Sequence, residues 1–74
     1  METRYRAVLK IIYERSLELE RTHVTDVYTG VEGDNRRGIC QWLVQNGYIE
    51  NVEYRGREII CCDITDKTID FFDK

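Results

Sequence analysis

The sequence predicts a single α+β domain in which helices come first, a β-hairpin follows and a short helix closes the fold. Its 74 residues, 42% hydrophobic and 34% charged, are enough for one core and too few for two. Apolar residues recur with helical spacing in the first half, and from Tyr48 to Ile64 they alternate as in strands. No repeat, low-complexity tract or linker interrupts the chain, so we expect residues 1–74 to form one domain.

The first segment, from Glu2 to Leu19, is predicted to be an amphipathic helix. Its buried residues follow the i, i+3, i+4, i+7 spacing of a single helical stripe. This stripe consists of Tyr5, Val8, Leu9, Ile12, Ser16 and Leu19. Ala7, Ile11 and Leu17 are apolar residues that fall outside the stripe.

The second segment combines a short extended stretch with a short helix. The stretch His23–Val24 has extended character, and Thr25 is suited to cap a helix over roughly Asp26–Thr29. Gly30 is a natural residue to end this helix, and residues 32–35 are predicted to form a turn.

A third helix is predicted to start at Asp34 or Asn35 and to end before Gly47. Its expected buried face consists of Ile39, Cys40, Leu43 and Val44. Its outward face carries Arg37, Gln41 and Gln45, spaced four residues apart, with Gly38 on the same side. Trp42 lies at the border of the buried face, where a core role is expected.

The strand-like region is interrupted by Arg55-Gly56-Arg57, which predicts a hairpin. A two-residue loop Arg55-Gly56 would set Glu53 opposite Glu58, and like charges across a strand pair are destabilising. We therefore expect a three-residue loop that pairs Tyr54 with Glu58. The side chains gathered on one face in that register are Tyr48, Val52, Tyr54, Ile60, Cys62 and Ile64.

The last segment, from Asp66 to Phe72, is predicted to be a short helix capped by Thr65. Ile64 and Ile69 have the spacing of a hydrophobic staple. Ile69 and Phe72 are expected to be buried, whereas Phe71 points elsewhere.

The charge distribution is polarised. The formal net charge of −3 argues against a surface that binds nucleic acid over its whole area. However, the stretch from Asn35 to Arg57 holds four arginines against only Glu50 and Glu53. The sequence therefore predicts a basic edge on an acidic body.

The order of these elements and two short motifs resemble the winged helix-turn-helix family. The third helix and its exit, Gly47-Tyr48-Ile49, are similar to a recognition helix that ends in a Gly-aromatic step into the wing. The segment Ile64-Thr65-Asp66-Lys67-Thr68 resembles the family's Leu-Thr-x-Lys-Gly entry to the last helix, with Thr68 where glycine is common. The resemblance covers nearly the whole chain, and small viral, phage and archaeal-type transcription regulators are the relatives nearest in size.

This resemblance implies a three-helix core, a two-stranded β-hairpin wing and a short C-terminal helix that together bind double-stranded DNA for transcription regulation. The third helix would enter the major groove, and the hairpin tip would meet the backbone. Arg37, Gln41 and Gln45 would contact bases, because arginine suits guanine edges and glutamine suits adenine edges. The residues expected at the DNA backbone are Arg36, Arg55 and Arg57.

Plainer interpretations of the same residues remain open. Any surface helix has a solvated polar face, and a charged hairpin tip keeps a sheet edge soluble. The rival function is a winged-helix protein–protein interaction module without DNA binding. It is favoured by the net negative charge and by four acidic residues at and near the last helix, Asp63, Asp66, Asp70 and Asp73.

A homodimer is expected through the two terminal helices. Apolar residues outside the buried stripes either widen a small core or mark a partner surface. The predicted interface uses Ala7, Ile11 and Phe71, with Leu17 as a further apolar residue off the stripe.

The sequence gives no support for catalysis, a metal site, a cofactor or a small-molecule substrate. It holds no nucleophile–base arrangement and no phosphate-binding glycine loop, and His23 with the three cysteines lacks metal-ligand spacing. No apolar run exceeds four residues, so neither a membrane span nor a secretory signal is predicted. An odd number of cysteines indicates a reducing compartment, and we expect the cytoplasm, or the host cytoplasm for a viral protein.

Overall fold

The computed structural model describes residues 1–20, 23–25, 36–55 and 58–73. In chain order the elements are α1 (Thr3–Leu19), β1 (His23–Thr25), α2 (Arg36–Gln45), β2 (Ile49–Arg55), β3 (Glu58–Ile64) and α3 (Asp66–Phe72). The strands form an antiparallel sheet in the order β1-β3-β2. These residues make a small α+β domain with a β-hairpin. The predicted helix at Asp26–Thr29, its flanking turn and the predicted start of α2 lie outside the described residues.

The core lies between α1, α2 and the hairpin. From α1 it takes the middle of the predicted stripe, with Tyr5 and Leu19 packed at its edges. Ser16 of the same stripe is 5% exposed. The core cluster consists of Val8, Leu9, Ile12, Ile39, Cys40, Leu43, Ile49, Cys62 and Ile64. Helical spacing on α1 thus predicted its buried face correctly.

Helix α2 ends at the predicted Asn46-Gly47 signal. Gly47 has φ of 78°, a left-handed conformation that favours glycine. Its N–H donates to the Val44 carbonyl at 3.1 Å, and the Tyr48 N–H donates to the Leu43 carbonyl at 2.9 Å. This pair of bonds is the Schellman arrangement, which satisfies carbonyls at the helix end and turns the chain into β2.

The prediction that Val44 belongs to the buried face of α2 is wrong, because its side chain is 40% exposed. Val44 and Trp42 both flank the buried face, about 100° to either side of Leu43 in helical projection. The Trp42 flank is covered, since its ring stacks on Tyr5 at 4.6 Å and on Tyr48 at 6.0 Å. The other flank is left open, and Val44 faces outwards there.

The predicted hairpin register is also wrong. Arg55 pairs with Glu58 and Tyr54 pairs with Ile59, instead of Tyr54 with Glu58. Further from the tip the pairing shifts at two places, next to Glu53. Asn51 has φ of 53°, and its side-chain amide donates to the Asp63 carboxylate at 2.8 Å.

The irregularity at Asn51 changes which residues of β2 face the core. An extra residue in one strand breaks the two-residue alternation. As a result Ile49 is buried at 1% exposure, while Val52 and Tyr54 still pack against the core. Strict alternation cannot place Ile49 and Val52 on the same face of a strand. The prediction that Tyr48, and not Ile49, shares the buried face with Val52 is therefore wrong.

A row of half-exposed aromatic rings connects the three helices on one side of the domain. Consecutive ring centroids lie 4.6 to 6.0 Å apart, in stacked or edge-to-face arrangements. We call this row the aromatic ladder, and its members in order are Tyr5, Trp42, Tyr48, Phe71, Phe72 and Tyr13.

Side chains at the start of α3 donate hydrogen bonds to the loop that connects α2 to β2. The Lys67 ammonium donates to the Asn46 carbonyl at 2.7 Å, and the Thr65 hydroxyl donates to the Gly47 carbonyl. The fully buried Thr68 donates its hydroxyl to the Tyr48 carbonyl. Thr65 is at the N-cap position, as predicted, but its hydroxyl makes no capping bond because it is directed to this neighbouring turn.

Candidate nucleic-acid interface

A groove of about 380 Å³ lies between the outward face of α2 and strand β2. On the helix side it is lined by Gln41, Val44 and Gln45, and on the strand side by Val52 and Tyr54. Both glutamines are exposed, as predicted. Their amides each offer donors and an acceptor next to an apolar surface. The groove therefore suits a ligand that presents hydrogen-bonding groups and an apolar group together.

Gly38 lies on the outward face of α2 and has no packing reason to be glycine. A Cβ atom built at this position would meet none of the described residues within 4 Å. Glycine in a helix interior costs about 1 kcal/mol relative to alanine. The structure around Gly38 would accordingly accommodate alanine, although the sequence has glycine there.

The structure describes the backbones of three of the four predicted arginines. The backbones of Arg36 and Arg37 form the start of α2, and that of Arg55 ends β2. Their side chains, and all of Arg57, lie outside the described part of the structure. Gln41 and Gln45 are the predicted DNA-contacting residues whose side chains the structure describes, and both line the same groove.

A second, smaller cleft of about 190 Å³ lies beside the first half of α2. It is lined by Arg4 and Tyr5 of α1 and by Gly38 and Ile39 of α2. The Arg4 guanidinium forms an exposed ion pair with Glu2 at 2.6 Å. Arg4 is not among the site residues predicted from the sequence, because helical spacing on α1 indicates only a buried face and gives no signal for this cleft.

The opposite face of the hairpin is acidic. Glu50 lies directly opposite Asp63 in the strand register, and Glu53 is exposed on the same strand as Glu50. Alternation directs Glu53 away from Val52 and Tyr54, which line the groove. The described carboxylates therefore lie on the outer face of the hairpin, whereas the residues that line the groove on the α2 side include none.

The cysteines are buried and free. Burial raises the pKa of the Cys40 and Cys62 thiols to about 12, so the reactive thiolate is absent near neutral pH. Burial and the neighbouring Glu53 carboxylate also raise the pKa of Cys61. Among the described residues no group of three or more His, Cys, Asp and Glu side chains is arranged to hold a metal ion.

The residues predicted for a dimer interface fall on two sides of α1. Ala7 is exposed and Ile11 is half-buried, and they are neighbours one helical turn apart. Tyr13, against which Phe72 stacks, is two residues beyond Ile11 and thus about 200° around the helix. Phe71 is 39% exposed beside the Phe72 ring, on the Tyr13 side of α1.

No helix within the described residues has the length and apolar character needed to cross a membrane. No protein-family model matches the chain, and neither a curated protein nor a solved structure matches it.

Proposed function

We propose that this protein is a winged-helix transcription regulator that binds double-stranded DNA in a sequence-dependent manner. Helix α2 lies in the major groove, and the tip Arg55-Gly56-Arg57 lies against the backbone. Gln41 and Gln45 contact base edges together with Arg37, and Arg36 contacts phosphate. The proposal includes no catalytic step and no cofactor.

The observation that carries this proposal is the groove in which both predicted glutamines are exposed beside the hairpin. Adenine presents an acceptor and a donor in the major groove, and a glutamine amide matches both. The order of elements and the sheet order β1-β3-β2 are compatible with a winged helix. The acidic outer face of the hairpin favours an approach of DNA from the α2 side.

Amide chemical shifts during titration with a mixed-sequence duplex test this assignment. We expect shifts at residues 36–45 and 54–58 in low salt, and their loss at about 200 mM salt because phosphate contacts are screened. The absence of shifts in low salt contradicts DNA binding. Shifts restricted to α3 would contradict the assignment of α2 and the hairpin tip as the DNA-binding surface.

Replacing Gly38 with Ala is expected to change stability and DNA affinity in opposite directions. The helix should become more stable, by up to about 1 kcal/mol, because alanine is the better helix former. The added methyl group should weaken duplex binding if α2 approaches the DNA closely at this point, because the methyl group would occupy space that the described residues leave open and that the DNA would fill. Urea unfolding and fluorescence anisotropy with a labelled duplex measure the two effects. Unchanged affinity would contradict close approach at Gly38.

The proposal includes a homodimer through α1 and α3, since pairing of two copies reads two half-sites. We expect Phe71→Asp to shift a dimer to monomer in sedimentation at tens of micromolar, because it places a charge on an exposed apolar position. Ile11→Asp tests the other side of α1. A wild-type protein that sediments as a monomer, unaltered by Phe71→Asp, would end the dimer hypothesis.

A protein-interaction module is the second candidate function. It is supported by the exposed acidic residues of α3, Asp66 and Asp70, and by the partly exposed aromatic ladder next to them. Such a module would bind a partner through α3 and show no salt-sensitive affinity for DNA.

A further inference from the structure

Val44 is an apolar side chain on a face that is otherwise polar. It is 40% exposed, and it lies between the exposed Gln41 and Gln45 on the groove side of α2. Single exposed apolar residues are common on protein surfaces and carry no meaning alone. Val44, however, lines the same groove as the two glutamine amides. A ligand in this groove would therefore meet an apolar side chain next to hydrogen-bonding groups.

The opposite wall of the groove extends the apolar surface. Val52 and Tyr54 of β2 are half-buried and line the groove across from Val44. A group placed between the helix and the strand thus meets hydrocarbon from two sides. The glutamine amides lie next to this apolar surface and remain exposed for hydrogen bonds.

An A·T base pair presents this combination in the major groove. Adenine offers the N7 acceptor and the N6 donor, and thymine adds a C5 methyl group that G·C pairs lack. We propose that Val44 contacts a thymine methyl group while Gln41 or Gln45 binds adenine, which makes A·T steps the preferred DNA of this chain. This inference rests on the proposed function and names its substrate class.

The spacing of these residues along α2 fits neighbouring base pairs. Gln41 and Val44 are three residues apart, a rise of about 4.5 Å along a helix. Successive base pairs of a duplex are separated by about 3.4 Å. The amide and the valine therefore reach the same or adjacent pairs, and two consecutive A·T pairs satisfy both.

The test removes the methyl group from the DNA and the valine from the protein separately. A duplex is first selected by the wild-type protein from a random library. Thymines in the selected site are then replaced one at a time by deoxyuridine, which keeps base pairing and lacks only the methyl group. We expect about fourfold weaker binding at one or two positions, the equivalent of about 0.8 kcal/mol for one buried methyl-sized group.

The variant Val44→Ala completes a double-mutant cycle with these duplexes. We expect it to bind the thymine duplex about fourfold more weakly than the wild type and to show no difference between thymine and deoxyuridine. Thr3→Ala, which truncates an exposed side chain of nearly the same shape as valine at the start of α1, is the control and should keep the full difference. Both variants lose exposed atoms, so circular dichroism should show an intact fold.

The outcomes separate the two claims. Salt-sensitive DNA binding without any thymine effect, or a thymine effect that Val44→Ala retains in full, overturns the role of Val44 and leaves the proposed function standing. A wild-type protein that selects no duplex overturns both.

Discussion

Raising the salt concentration from about 50 to about 200 mM is expected to weaken duplex binding about 150-fold. Each phosphate contact made by a basic side chain contributes about −0.9 to the slope of log affinity against log salt. The four arginines assigned to the DNA surface are Arg36, Arg37, Arg55 and Arg57. They give a slope near −3.6 if each of them, including Arg37 at the base edges, neutralises one phosphate charge and releases its counterions. Fluorescence anisotropy across a salt series measures it directly.

Two variants show whether the slope arises at the hairpin tip. Arg57→Ala should lower the magnitude of the slope by about 0.9, so that the same salt increase weakens binding only about 40-fold. Arg15→Ala removes an equal charge from α1, where Arg15 pairs with Glu18 at 3.0 Å, and should leave the slope unchanged. Equal slopes for the wild type and Arg57→Ala would contradict a backbone contact by the tip.

Replacing Thr68 with Gly is expected to lower the free energy of unfolding by about 2–4 kcal/mol. Thr68 is fully buried, and its hydroxyl donates to the Tyr48 carbonyl. Glycine loses this bond, at about 1 kcal/mol, together with the packing of the buried methyl group and part of the helix propensity of α3. Urea unfolding monitored by circular dichroism gives the difference.

Two further substitutions divide this loss into its parts. Thr68→Val keeps the shape and removes the hydroxyl, so it should cost about 1 kcal/mol. Thr68→Ser keeps the hydroxyl and removes the methyl group, at a comparable cost. A Thr68→Val variant as stable as the wild type would show that the bond to the Tyr48 carbonyl contributes nothing.

Elements with local signals were predictable from the sequence. The helix from Thr3 to Leu19 differs from its expected span by one residue, and Asp66–Phe72 matches it. Apolar spacing within each segment defines such helices without reference to the rest of the chain. The exposure of Gln41 and Gln45 followed from the same helical spacing.

Features that depend on distant neighbours were not predictable in the same way. Val44 and Trp42 have equivalent positions on the two flanks of α2, and only the arrival of Tyr5 and Tyr48 decides which flank is covered. The pairing also shifts locally between Glu50 and Glu53, around the left-handed Asn51, whose side-chain partner Asp63 is on the other strand. A pattern within one segment carries no information about such partners.

The contacts between α3 and the preceding turn make the groove dependent on residues that do not line it. A nascent chain synthesised as far as Ile64 already contains Gln41, Val44 and the whole hairpin. It still lacks the side-chain donors that satisfy the carbonyls of residues 46–48. The side-chain hydrogen bonds that reinforce the turn between α2 and β2 therefore form only after residues 65–68 have left the ribosome. Proteolytic cleavage before Thr65 would by the same reasoning weaken binding while every proposed contact residue stays in place.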